Sequence, residues 1–265
     1  MPAPSIVRVT SVPPWVSLAD PDVRSYIRRV EAADGQPLEP MVRRAIDAFV
    51  RGCKNDGNWP AIKASCIMAG ARTLAGALTP LVGATPTNFN FVAGDYNRRT
   101  GLVSDGASKY LNTNRNNNSD PQNNNHLAVY VSSPGLPGSM FVCSNNQPNA
   151  QGHTNILHGG DGLFFHRSRS GTGTSNGTSM SAGFAGISRS NSTQYIARTS
   201  STNFTISVAS DGLASSTLEV YRRNLPTPNF SDARLAFYSI GESLDLARLD
   251  TRVTDLITAI GAALP

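Results

Sequence analysis

The residues best suited to chemistry in this chain are a scatter of carboxylates and four histidines. Hydrolysis of a glycosidic bond needs two carboxyl groups a few ångströms apart, one as acid and one as base or nucleophile. On a strand that means acidic residues at i and i+2 or i+4, because those share a face. No strand-like segment carries such a set. Glu219 stands alone there, and Asp95, Asp105, Asp161 and Asp211 each sit beside glycine, in turn settings. His153 and His158 lie five apart in a glycine-rich stretch, and His126 and His166 flank them. None has a carboxylate or cysteine at a ligand offset, so these are expected to be structural histidines, hydrogen-bonded or exposed, with no metal.

Gly177-Thr178-Ser179-Met180-Ser181-Ala182 has the look of the nucleophile motif of subtilisin-like proteases. That motif places its serine at the head of a helix, beside an oriented base and its carboxylate. Here Gly183 replaces the usual proline, and Phe184-Ala185-Gly186-Ile187 reads as a strand. No catalytic residue and no cofactor is assigned, and the chain is expected not to be an enzyme. Sugar binding asks for less: an aromatic to stack on and amides to bond hydroxyls. Tyr110, Tyr130, Asn116 and Asn117 are the candidate glycan contacts. The same residues equally suit a core and its turns.

Around these residues the chain has three textures. From Asp20-Pro21, an N-cap followed by proline, a helix carries Val23, Tyr26, Ile27 and Val30 on one face and ends at Gly35. A second helix, Leu38 to Cys53, has a wide apolar stripe, with Arg43 and Arg44 opposite, and stops at Asn55-Asp56-Gly57. Trp59 to Leu81 reads as a short helix and an extended apolar strip. The middle of the chain reads as strands. Phe204, Ile206 and Val208 alternate with Thr205 and Ser207, the period of a half-buried strand. Asp211-Gly212 signals a hairpin turn between that strand and the next, which ends at Tyr221. Asn112–Asn125 and Ser168–Ser181 are expected to be long loops. The last texture is a helix from Ser243, its N-cap, to Gly261. Helices at both ends of a strand-rich middle are expected to pack together beside the sheets.

Composition agrees with a mainly β chain. Only 15% of the 265 residues are charged, with 23 glycines and 17 prolines, which favours short strands and many turns. The net charge of +5 is dispersed, with no basic stripe or recognition motif for nucleic acid. No apolar stretch is long and smooth enough for a membrane span, and Met1-Pro2-Ala3-Pro4 does not read as a secretory signal. Cys53, Cys66 and Cys143 show neither a disulfide framework nor zinc spacing and are expected to be buried apolar residues.

Several segments, in order, resemble a widespread group of phage and prophage structural proteins: Lys54-Asn55-Asp56-Gly57-Asn58-Trp59, Asp95 to Leu102, Asp105 to Leu111, Asn124-Asn125-His126-Leu127, and Arg234 to Gly241. The resemblance implies a concanavalin A-like (laminin-G-like) jelly roll and membership of a tailed-bacteriophage virion. The expected architecture is mainly β: an antiparallel β-sandwich over residues 83–242. An N-terminal arm and helical assembly subdomain precedes it over 1–82, and a C-terminal helix follows over 243–265. The function expected on this basis is a lectin-like virion structural protein, as a tail appendage, fibre or capsid decoration. The alternative is a glycan-binding lectin or glycan-degrading enzyme of the same fold. Its partners would be other virion proteins, further copies of itself as a trimer, and a host-surface glycan. Assembly is expected to use Trp15, on a proline-rich extended start, together with Arg43 and Arg44.

Overall fold

The computed structural model describes residues 20–144, 151–223 and 228–265. Trp15 lies outside the described residues.

Two antiparallel sheets face each other. The first runs in the order β13 (Thr202–Ile206), β12 (Tyr195–Thr199), β11 (Gly183–Arg189), β6 (Asn125–Ser133), β17 (Arg234–Gly241), β4 (Gly101–Val103) and β3 (Tyr96–Asn97). Strand β1 (Ile62–Ile67) pairs with the C-terminal part of β17, while β4 pairs with its start. The second sheet runs β10 (Thr174–Ser179), β9 (Leu163–Ser170), β8 (His153–His158), β7 (Met140–Ser144), β14 (Thr217–Val220), β5 (Tyr110–Asn116) and β2 (Thr87–Phe89). A short ribbon joins β15 (Arg222–Arg223) to β16 (Asn229–Phe230). The fold is an antiparallel β-sandwich of the jelly-roll kind.

Period-two burial explains the sandwich. On β6, Leu127, Val129 and Val131 point between the sheets, where they meet Phe141, Ile156, Phe164 and Val220. The alternate residues Ala128 and Tyr130 point outward, against helices. Both faces of β6 are therefore covered, which is why it reads as a nearly unbroken apolar run.

The covering layer is helical: α1 (Pro21–Asp34), α2 (Pro40–Asn55), the short α3 (Leu74–Ala77) and α4 (Leu246–Ala263). Asp20 caps α1 by accepting from the Asp22 N–H at 2.9 Å, and Gly35 ends it at φ +68°. Helix α2 packs against α4, so the two ends of the chain close on one face of the first sheet. Arg198 on β12 donates to Asp250 on α4 at 2.8 Å, and Arg252 on α4 forks onto Asp56 at 2.8 and 3.1 Å.

Several sequence expectations change. Strand β1 comes from the segment assigned to the helical subdomain, so the sheet begins before residue 83. Ile62 and Ile67 join the helix-facing core and Ala64 and Cys66 the inter-sheet core, so this strip is buried on both sides. The Asn-rich loop is half strand: β5 runs to Asn116 because Leu111 and Thr113 point inward while Asn112 and Asn114, alternating with them, face out. The Ser/Gly/Thr loop is likewise the end of β9 and the edge strand β10. Asp211-Gly212 does not close a hairpin. Gly212 does turn, at φ +86°, but β13 and β14 lie in different sheets, since turn chemistry sets a local reversal and not a pairing partner. The last helix is capped by Asp245, which accepts from Ala247 and Arg248, while Ser243 instead bonds Asn124. That helix also runs through Gly261.

Candidate functional site

The outward face of the second sheet differs from the rest of the surface. Register places one residue from each strand in a single row: Arg167 opposite Asn155, Asn155 opposite Cys143, Cys143 opposite Glu219, and Glu219 opposite Asn112. At about 4.8 Å per strand, this row is about 19 Å long. A parallel row beside it is apolar: Phe165, Leu157 and Met140. That small apolar cluster, with Cys143, contains no helix residue.

A hollow of about 390 Å3 opens over β7–β9, lined by Asn155, Asp161, Phe165, Arg167 and Arg223 among others. Asn155 is 1% exposed, yet its Oδ1 has no hydrogen-bond partner. The same holds for the Nε groups of Arg167 and Arg223. Buried polar atoms are nearly always bonded, because leaving one bare costs on the order of 1–3 kcal/mol. Asn155, Arg167 and Arg223, which hold three of these atoms, all line the hollow.

Toward the other end of the face, Phe89 stacks on Tyr110 with ring centroids 4.3 Å apart. The Arg222 guanidinium lies 4.3 Å from the Tyr110 ring and 5.5 Å from that of Phe230. Arg222 also reaches Glu219 at 3.7 Å. Burial raises the Glu219 carboxyl above its usual range, with Arg222 opposing it. Burial likewise raises the Cys143 thiol to about 12, which keeps it neutral. Burial, and then the Arg223 charge, lower the Arg167 guanidinium.

The structure divides the residues singled out in the sequence. Tyr110 and Asn116 lie on this strand-rich side, Asn116 accepting from Thr217 at 3.2 Å. Tyr130 lies on the opposite sheet, packed under the helices, because its neighbours in the alternation are core residues. Asn117 is fully buried and donates to the Gly152 carbonyl at 2.7 Å, which makes it a loop clamp with no surface to offer a glycan. Arg43 pairs with Glu31, and Arg44 is exposed with a 3.7 Å contact to Met41. The histidines are buried: His126 bonds Ser239 and the Glu242 carbonyl, and His166 bonds the Tyr195 hydroxyl. Among the described residues no cluster of His, Cys, Asp and Glu is arranged to hold a metal, and no helix is long and apolar enough to cross a membrane.

Asn155, Arg167, Glu219 and Arg223 were not singled out as a site from sequence. They come from four segments: register joins β8, β9 and β14 through β7, and Arg223 stands on the separate β15–β16 ribbon. The one local signal was β9, where Phe165 and Arg167 alternate with the buried Phe164, His166 and Ser168.

No family model matches this chain, and no curated protein does. Solved structures do match. The chain is similar to a mutant of Trypanosoma rangeli sialidase displaying trans-sialidase activity, at 10% identity and a TM-score of 0.50, over 81% of this chain and 39% of that one. It is also similar to domain 4 of an extracellular arabinanase from Geobacillus stearothermophilus, solved in complex with arabinotriose, at 14% identity and a TM-score of 0.43, over 66% of this chain and 82% of that one. The chain thus spans well under half the length of the sialidase. At such identities the likeness shows the fold alone. It nevertheless overturns the expectation of a non-enzymatic chain: this sandwich occurs within sialidase chains, so a lone Glu219 in a strand-rich sequence is no ground for setting enzymes aside.

Proposed function

We propose that this protein is a glycan-binding β-sandwich module that lays its ligand across the outward face of the second sheet. The observation that carries the reading is the hollow over β7–β9, whose lining residues Asn155, Arg167 and Arg223 each hold a buried polar atom without a hydrogen-bond partner: Asn155 Oδ1 and the Nε groups of the two arginines. Hydroxyl-rich ligands supply both donors and acceptors for such atoms. The Phe89–Tyr110 pair adds a flat apolar surface for a sugar ring. The presence of this sandwich fold within a sialidase chain supports the same ligand class. The sequence resemblance to phage structural proteins supports a virion setting, with this face turned toward host-surface glycan and the helical layer toward other virion proteins or further copies of the chain.

The test is a glycan array probed with the intact chain, followed by titration of the best ligand. Saturable binding is expected, weakened about tenfold or more, roughly 1.4 kcal/mol, by Phe89→Ala. Arg44→Ala, on the helical side, is expected to leave affinity unchanged. Release of reducing sugar, measured in the same samples, distinguishes binding from cleavage. Binding that survives Phe89→Ala but is lost with Arg44→Ala would move the site to the other face and end this reading.

A further inference from the structure

The hollow over β7–β9 has two arginines and one aspartate in its lining. Arg167 and Arg223 both line it, one from β9 and one from β15. Among the described residues neither guanidinium lies in an ion pair, whereas most other buried or half-buried arginines here have a carboxylate, as Arg198 has Asp250, Arg115 has Asp120 and Arg252 has Asp56. The Arg167 side chain is held in place from below: it lies over the Phe165 ring at 6.0 Å and donates to the Gly171 carbonyl at 3.2 Å. Gly173 leaves the room for it, since a Cβ there would fall 1.9 Å from the Phe165 ring and 2.7 Å from Arg167 Nε.

The negative groups nearby do not neutralise the pair. Asp161 stands at the rim, exposed, with one carboxylate oxygen accepting from the Leu163 N–H at 3.1 Å. Exposed charges are screened by water and contribute little. Glu219 faces Arg222. The Cys143 thiol beneath is neutral. Two guanidiniums brought close without a counter-charge repel each other, and a bound carboxylate or sulfate removes that repulsion while accepting from both forks.

We infer that the glycan held on this face is acidic, and that its carboxylate or sulfate group sits between Arg167 and Arg223 while a neighbouring sugar hydroxyl donates to Asn155 Oδ1. This inference rests on the glycan-binding reading. It adds a division of labour: the aromatic end of the face accepts sugar rings of any charge, and the arginine end selects those that carry an anion.

The experiment compares, by titration calorimetry on the full chain, a neutral oligosaccharide with the same backbone bearing uronate, and inorganic sulfate alone. The uronate oligosaccharide is expected to bind at least tenfold tighter than the neutral one, with affinity falling as salt rises. Arg223→Gln and Arg167→Gln are expected to bring the two sugars within about threefold of each other, while Arg223→Lys, which keeps the charge but loses the fork, retains only part of the preference. Unchanged thermal midpoints confirm that the variants fold. Equal binding of neutral and acidic sugars by the intact chain overturns this inference and leaves glycan binding standing. Binding of neither sugar removes both. Sulfate binding as tight as the oligosaccharide, or a uronate preference that survives both glutamine variants, also overturns the inference, since the anion would then be read apart from the sugar or elsewhere.

Discussion

The two sheets of this sandwich use their outward faces in opposite ways. On the first sheet, Ala128, Phe184, Ala236 and Phe237 present small and flat apolar side chains that α2 and α4 cover. On the second, the equivalent positions carry Arg167, Asn155, Glu219 and Asn112, and no helix residue joins their apolar cluster. The polar atoms left unsatisfied differ in the same way. In the helical layer, buried charges are paired, as Arg198 with Asp250 and Arg252 with Asp56. On the second sheet some buried polar atoms, Asn155 Oδ1 and Arg167 Nε among them, lack a hydrogen-bond partner. One face is therefore committed to stability and the other is available for recognition. Stability and binding should separate when the two faces are altered.

The largest effect is expected from acid. His126 and His166 are buried, and burial lowers both to about 4. In the unfolded chain they take up protons near pH 6.5, so below that pH the unfolded state binds more protons and stability falls until about pH 4. The loss is roughly 3 kcal/mol for each histidine across that window. Urea unfolding between pH 7 and pH 4 measures it, and a flat profile would contradict the burial of both rings. Next comes the covered face. Phe237 is fully buried and meets the Phe49 ring edge-on at 5.7 Å, so Phe237→Ala should cost about 4 kcal/mol in chemical denaturation. Asp250→Ala should cost about 3 kcal/mol, because it leaves Arg198 buried without its carboxylate. On the open face the order reverses. Phe89→Ala should change stability by less than about 1 kcal/mol, since Phe89 is exposed on an edge strand, yet it should weaken glycan binding. The smallest effect should be that of a reducing agent: all three cysteines are free and buried, so the thermal midpoint should not move.

The covered side was legible in the sequence because its signals are local. Asp20-Pro21, Gly35 and the stripe from Val42 to Cys53 announce helices without reference to anything distant. The strands β6, β13 and β17 were visible through β-branched and aromatic residues. The open face was not legible, for a physical reason. Its residues sit outward on short strands and are polar or mixed in type, so periodicity there is weak. Asn112 and Asn114 disguised β5 as a loop, although Leu111 and Thr113 kept the alternation. Tyr110 was found because it is aromatic, and Tyr130 was placed with it for the same reason, although one lies on each sheet. Only the register across β14, β7, β8 and β9 brings Glu219, Asn155 and Arg167 into one row.

The most direct test of a glycan site on the outward face of the second sheet is to map the bound ligand by backbone amide NMR. Adding the best array ligand to the labelled full chain should shift the amides around Asn112, Asn155, Phe165, Arg167 and Glu219. Those of α2 and α4 should stay in place. Shifts confined to the helical layer, or spread over the first sheet and absent from β7, β8 and β9, would contradict the account.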